Sequence, residues 1–265
     1  TNAAQLRDEF ENKGMIFQTT IDSEVIAYVI AQERVKNKSV EDAVLKMMEI
    51  IDGSYSLIVM SPKKLIGCRD PHGIRPLVLG MLSDGSYVLA SETCSLDGVG
   101  AEFIRDIEPG EVVVIDETGI RSIKTFCNTK KKALCIFELI YFARSDSSID
   151  GISVYESRKE AGRQLAKQHP VDGDIVIGVP DSGLDAAIGY SEESGIPFGF
   201  GLVKNRYIGR TFISPTQSQR EIGVKIKLNA LKSSVEGKRV IMIDDSIVRG
   251  TTVKRLVDIL RKAGA

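Results

Sequence analysis

Val240-Ile241-Met242-Ile243-Asp244-Asp245-Ser246-Ile247-Val248-Arg249-Gly250-Thr251-Thr252, residues 240–252, decides how this chain folds. Four apolar residues, two of them β-branched isoleucines, predict a buried strand that runs straight into two adjacent acids. A short loop with one Gly and two Thr then opens a helix expected over 251–262. Two carboxylates leaving a strand together can meet the two hydroxyls of a ribose, or a bound Mg²⁺ beside them. The loop behind them points backbone N–H groups from a helix N-terminus, which favours an anion such as phosphate. Arg249 adds positive charge, and the Thr251 and Thr252 hydroxyls add donors. Neither the GxxxxGK[ST] loop nor the GxGxxG fingerprint is present. A tight turn with two solvated acids would account for Asp244 and Asp245 alone, but not for the whole string.

Working outward, the second half alternates strands and helices. Tyr155–Gln168 predicts an amphipathic helix, Asp174–Val179 a nearly continuous apolar strand, and Leu184–Ser194 a further helix. A strand apolar on both faces suits a parallel sheet covered on both sides, and such units place ligands at the carboxyl ends of the strands. One such end is Val179-Pro180-Asp181-Ser182-Gly183, small residues that let backbone amides approach an anion, although a plain turn would read the same. Lys204-Asn205-Arg206-Tyr207-Ile208-Gly209-Arg210 is basic and aperiodic. It suits a lid over an anionic substrate, or an exposed basic loop.

The first half has a different rhythm. Asp22 is placed to cap a helix carrying Val25, Ile26, Val29 and Ile30 on one face, and Ser39 with Asp42 resembles a capping box. Beyond Asp52-Gly53 come short strands at 56–60, 64–67 and 87–90, with a turn at Ser83-Asp84-Gly85-Ser86. A hairpin follows over 111–123, turning at Asp116-Glu117-Thr118-Gly119. This half is α+β. The seam is expected at Asn128-Thr129-Lys130-Lys131-Lys132, whose lysines read as a solvated linker.

Bulk properties bound the partners. The chain has 265 residues, which suits two modest domains. Its 35 basic and 36 acidic residues leave a formal charge of −1, which argues against a nucleic-acid tracking surface. No apolar run approaches the roughly 20 residues that cross a bilayer, so no membrane partner is expected. Four cysteines without a CxxC pair suit a cytoplasmic protein with reduced thiols. The chain opens without Met and stops after a helix where a strand should follow, so a segment cut at both ends is expected.

The string 240–252 matches the phosphoribosylpyrophosphate (PRPP) motif of type I phosphoribosyltransferases, and its form from Asp244 to Thr252 resembles the glutamine PRPP amidotransferase family. The resemblance extends over essentially all residues, through Cys135–Ser147, Arg69–Leu77 and Ala90–Thr93. It implies an α+β N-terminal-nucleophile glutaminase portion over 1–127, then an α/β type I phosphoribosyltransferase domain with a parallel sheet over 128–265. It implies that ammonia released from glutamine attacks PRPP to give 5-phosphoribosylamine, the first step of purine synthesis. Asp244 and Asp245 would bind the ribose hydroxyls and Mg²⁺, while Ser246, Val248, Arg249, Gly250, Thr251 and Thr252 wrap the 5′-phosphate. Asp181 and Ser182 would form the pyrophosphate loop, with Ser182 near Mg²⁺. Lys204, Tyr207 and Arg210 would act from the closing loop, and Asp22 would hold the glutamine α-amino group.

In cluster-bearing members a Cys at the Cys135 position is one of four thiolate ligands of a [4Fe–4S] cluster. The family also implies purine nucleotides as feedback inhibitors and a homo-oligomer. Three departures are visible: Gly183 where a second hydroxyl is common, Ser145 where Pro is common, and His72 where Asn is common. The N-terminal Cys nucleophile is not among these residues, and none of the four cysteines takes that role by position. Two rivals share the features: a non-catalytic PRPP-sensing regulator on the same scaffold, and an inactive truncated product. The lid string and the glutaminase-like half are superfluous in a sensor.

Overall fold

A computed structural model describes residues 1–204, 228–247 and 250–265, with Thr251 described by its backbone. The chain divides into two compact units, Thr1–Glu138 with Ser148–Gly151, and Leu139–Ser147 with Ile152–Ala265.

The first unit is layered. Helices α1 (Ala3–Asn12), α2 (Asp22–Lys36) and α3 (Val40–Ile50) precede β1 (Ser56–Ser61) and β2 (Lys64–Arg69). Then come β3 (Val78–Met81), β4 (Tyr87–Ala90), α4 (Thr93–Val99), β5 (Glu102–Asp106), β6 (Val112–Asp116) and β7 (Gly119–Ile123). Two antiparallel sheets result, ordered β1-β2-β6-β7 and β4-β3-β5. The period-2 alternation of a strand assigns each face. Val112 and Val114 of β6 pack with Phe10, Val25, Val29, Val44 and Met47 from the three helices. The intervening Val113 packs instead with Leu77, Leu79 and Ile107 at the second sheet. That sheet's far face buries Val78 against Leu96 of α4. Helices, sheet, sheet and helix are therefore stacked in that order, the α+β architecture expected of this half.

Local chemistry explains several boundaries. Ser39 caps α3, accepting from the Asp42 amide at 3.1 Å. The Ser39 hydroxyl then donates to the Asp42 carboxylate at 2.6 Å, so the shorter acid closes onto the hydroxyl rather than onto the cap's own amide. Asp22 differs from expectation: it is the first helical residue of α2, the cap position is Ile21, and no side chain caps that helix. Helix α4 and strand β5 were not legible, because Ser, Gly and Asp interrupt any period between 93 and 106.

Buried ions knit this unit. Arg69 is fully buried and uses all its donors: Nε to Arg75 O, Nη1 to Ile107 O and Asp150 Oδ1, Nη2 to Gly73 O and Asp150 Oδ2, at 2.7–3.0 Å. Beside it the buried Asp70 accepts from the amides of His72 at 2.9 Å and Ile74 at 3.1 Å. The string Arg69–Leu77 is thus a structural turn. The His72 ring finds its partner outside that turn, its Nδ1 lying 2.9 Å from Lys131 O.

The second unit carries the α/β part. It comprises α5 (Val154–Gln168), β10 (Ile175–Gly178), α6 (Gly183–Ser194), β11 (Leu202–Lys204), β12 (Leu228–Ala230), α7 (Lys232–Val235), β13 (Val240–Ile243) and α8 (Thr251–Lys262). The minimal strand β9 (Ile152–Ser153) comes before α5, whereas β8 (Ser148–Ile149) belongs to the first unit. β10 and β13 pair in parallel from Ile175↔Val240 to Gly178↔Ile243, and Phe198 bridges β10 in parallel through Val176. Ile175, Ile177 and Val179 pack with Leu256 and Leu260 of α8. Val176 and Ile243 pack with Ala166 of α5 and Ala187 and Tyr190 of α6. Helices therefore cover both faces, which is why these strands read as unbroken apolar runs. Glycines let α5 and α6 touch: a methyl on Gly162 would lie 1.9 Å from Ala186 O, and one on Gly189 would lie 1.8 Å from Lys159 O.

Candidate active site

The register of the parallel pair builds the site. Gly178 lies opposite Ile243, so the segments that follow, Val179–Ser182 and Asp244–Asp245, leave the sheet side by side. The helices after these strands, α6 and α8, lie on opposite faces. A crevice between strand ends opens where successive connections diverge in this way, and ligands of α/β sheets bind there.

Close contacts bind the two loop starts together. Val179 N–H donates to Ile243 O at 2.8 Å. Gly183 sits so near that a methyl there would lie 2.7 Å from the same Ile243 oxygen. The Ser182 hydroxyl donates to Asp245 Oδ2 in a short hydrogen bond, joining the two expected ligand segments directly. Asp245 also accepts from the Ser246 hydroxyl at 2.6 Å, and Asp244 Oδ1 accepts from the Asp245 amide at 3.0 Å. Asp244 is half-buried, and that burial, with the Asp245 charge adding to it, raises its carboxyl above the ordinary range. Two carboxylates and a hydroxyl form a set of hard oxygen donors.

The remaining expected residues fall around this centre. Exposed Asp181 pairs with Lys204 Nζ at 2.6 Å, so the last residue of β11 reaches the loop after β10. The Pro180–Asp181 peptide is cis. Gly250 has φ +70°, a left-handed conformation that glycine adopts without penalty, and it starts α8 just before Thr251 and Thr252. Tyr207, Arg210, Val248, Arg249 and the Thr251 side chain lie outside the described residues.

In the first unit, exposed Asp22 accepts a short hydrogen bond from the Thr1 hydroxyl. The loop before it is shaped by Glu24, which accepts from the amides of Gln18 and Thr19 at 2.8 Å and from the Thr19 hydroxyl at 2.6 Å. Those bonds, the Gln18 amide foremost, lower the Glu24 carboxyl below its usual range. Cys68 is wholly buried and its thiol is pushed up to about 12 by that burial, the reverse of what activates a nucleophile. Cys135 is half-buried, its amide donating to Ile74 O at 3.0 Å. Among the described residues no three His, Cys, Asp or Glu side chains gather closely enough to hold a metal, so they do not assemble a four-thiolate centre around Cys135. Among the described residues, too, no helix is long and apolar enough to cross a membrane.

Sequence reasoning missed Asp185 and Arg158, charged residues buried behind the Val179–Gly183 loop. A signal existed for one of them. Arg158 shares the four-residue spacing of Val154, Gly162 and Ala166 along the buried side of α5, where an apolar residue would be expected.

A parallel strand pair ending in an acid pair beside the loop that opens α6, preceded by a stacked α+β unit, defines a class: a phosphoribosyltransferase joined to a glutamine amidotransferase. Family models agree, a glutamine amidotransferase domain matching residues 1–98 and a phosphoribosyl transferase domain matching residues 153–265. The chain is similar to amidophosphoribosyltransferases: enzymes of that name from Bacillus subtilis, Archaeoglobus fulgidus and Synechocystis sp. are 49%, 47% and 51% identical to it over its full length. It spans a little over half of those relatives, 55%, 57% and 54% of their lengths.

Solved structures agree in fold. One of the allosteric regulatory enzyme of purine biosynthesis superposes with a TM-score of 0.89 at 49% identity, covering 100% of this chain and 56% of that one. Another, of glutamine PRPP amidotransferase from B. subtilis complexed with ADP and GMP, matches equally over 57% of its chain.

Proposed function

We propose that the protein is an amidophosphoribosyltransferase: it hydrolyses glutamine to glutamate and ammonia, and joins that ammonia to PRPP. The nitrogen bonds to C1 of the ribose as the C1–oxygen bond to pyrophosphate breaks, and the amine sheds one proton to give 5-phosphoribosylamine. The observation that carries this reading is the Ser182–Asp245 hydrogen bond, which joins the loops that follow β10 and β13.

Asp244 and Asp245 are assigned to the ribose hydroxyls, and Ser246 to Thr252, with Val248, Arg249, Gly250 and Thr251 between them, to the 5′-phosphate. Asp181 and Ser182 face the pyrophosphate. Mg²⁺ suits the hard oxygen donors of Asp244, Asp245 and Ser182, and when bound with PRPP it neutralises charge on the departing pyrophosphate. Lys204, now paired with Asp181, has a stronger anionic partner in pyrophosphate, and with Tyr207 and Arg210 it closes over the reacting carbon and excludes water. Asp22, held by Thr1, takes the α-ammonium of glutamine. We assign residues 1–127 to the glutaminase domain and 128–265 to the phosphoribosyltransferase domain. A cytoplasmic homo-oligomer inhibited by purine nucleotides, as the ADP and GMP bound to the B. subtilis relative suggest, completes the reading. The non-catalytic regulator finds no support among relatives named as enzymes.

Calorimetric titration of the chain with PRPP in Mg²⁺ tests the centre. Binding that vanishes with EDTA and falls at least about tenfold in Asp244→Asn and Asp245→Asn is expected. Affinity indifferent to both substitutions and to the metal would refute the assignment.

A further inference from the structure

Behind the Val179–Gly183 loop lies a buried polar cluster that the proposed reaction does not use. Arg158 of α5 is nearly fully buried, as is Asp185 of α6. The guanidinium donates from Nε to Leu139 O at 2.7 Å, from Nη2 to Ala143 O at 2.8 Å, and from Nη1 to Ser145 Oγ at 3.2 Å. Its Nη1 is also 3.6 Å from Asp185 Oδ2, and the Ser145 hydroxyl donates to that same carboxylate oxygen at 2.5 Å. One segment, 139–147, and two helices are thereby tied at a single point.

That point is close to the chemistry. Asp185 is the third residue of α6, which starts at Gly183 immediately after Ser182. An acid in a helix's first turn often folds back to cap the free amides. Here Asp185 is turned to Ser145 and Arg158, the Ser182 hydroxyl is committed to Asp245, and no side chain caps α6 at Ser182.

We propose that Asp185 and Arg158, bridged by Ser145, are positioning residues that set the Val179–Gly183 loop for the pyrophosphate of PRPP. The inference rests on the PRPP reading and deepens it. The cluster acts in two ways. Pairing with Arg158 neutralises a carboxylate that would otherwise oppose an anion entering beside the helix start. Tethering the first turn to segment 139–147 fixes where Ser182 stands relative to Asp245. A buried ion pair contributes little net stability compared with apolar packing, so fixed geometry is the stronger reason for its presence here.

The test separates the two halves of the substrate. Inorganic pyrophosphate with Mg²⁺ and ribose 5-phosphate are titrated separately into the wild-type chain, Asp185→Asn and Ser145→Ala. Both variants should weaken pyrophosphate about tenfold, the scale of outer-shell substitutions, while ribose 5-phosphate stays within about twofold. Pyrophosphate affinity unchanged in a folded variant would overturn the proposal, and so would equal weakening of both ligands, which marks general destabilisation. If Asp185→Asn does not fold, Ser145→Ala decides alone on the same two readouts, because it keeps the Arg158–Asp185 charge pair. A wild-type chain that does not bind PRPP with Mg²⁺ removes the underlying reading, and the inference with it, before any variant is compared.

Discussion

Gly183→Ala offers a sharp test of how closely the two ligand segments are built. The new Cβ would stand 2.7 Å from Ile243 O and 3.3 Å from Asp244 Cα, and both are backbone atoms of the neighbouring strand end. Relief to an ordinary contact needs a shift of about 0.7 Å, and close-packed interiors give little. The Val179 N–H to Ile243 O bond, now 2.8 Å, lies across the same gap and lengthens with it. Overpacking costs about 1–3 kcal/mol, to which a weakened backbone hydrogen bond adds about 1. Melting of the second unit should therefore fall by roughly 5–15 °C. The same shift separates Ser182 from Asp245, and sub-ångström misplacement of binding groups costs about tenfold or more. Circular dichroism melts with and without Mg²⁺ and PRPP, together with titration calorimetry, read both effects. A variant melting within about 2 °C of wild type with unchanged PRPP affinity would refute the reasoning, because no contact of this kind could then exist.

Three further outcomes follow from buried charge. Asp150→Ala strands two N–H groups of the fully buried Arg69 and should destabilise the first unit by about 3 kcal/mol in urea unfolding, whereas Asp150→Asn, which keeps one acceptor, should cost less. Because the native pKa of Asp244 lies above its unfolded value, the proton it holds stabilises the fold below the unfolded pKa, and that contribution is lost as pH rises through the native one. Asp244→Asn should thus raise the melting temperature of the ligand-free chain at neutral pH but not at acid pH, while PRPP binding by wild type improves as Asp244 ionises; a melt lowered at neutral pH would contradict this. Cys68, with its thiol pushed up to about 12, should resist maleimide labelling until the chain unfolds, whereas half-buried Cys127 and Cys135 label first, as mass spectrometry of the native chain would show.

What could be read from the residues followed how local each signal was. The strand at 240–243 and the helix at 251–262 were legible to the residue, because an apolar strand running into an acid pair and an amphipathic helix each speak through neighbours in sequence. The same holds for the hairpin at Asp116–Gly119, where Gly119 takes φ +108° and Asp116 accepts from the Thr118 amide at 3.0 Å. Contacts made across long separations were not legible. Arg69 reads as one charged residue in a turn, yet its partner Asp150 is 81 positions away. Asp22 looked like a cap because caps are inferred from type and spacing, whereas its actual hydrogen bond comes from Thr1, 21 positions earlier.

The proposed anion centre joins both kinds of information. Each of its loops could be recognised locally, but only the parallel register Gly178↔Ile243 brings Ser182 against Asp245, and register depends on which apolar strand is chosen as neighbour. That choice follows from packing on both faces: Ile175 and Ile177 need Leu256 and Leu260 on one side, while Val176 and Ile243 need Ala187 and Tyr190 on the other. A slip of one residue would turn each strand's apolar residues to the wrong helices. It would also carry Asp245 about 3 Å further from Ser182, beyond hydrogen-bonding reach. The core that stabilises the second unit and the geometry that would hold a sugar pyrophosphate are therefore set by the same strand pairing, so an Ile177→Ala cavity should weaken ligand binding as well as the fold.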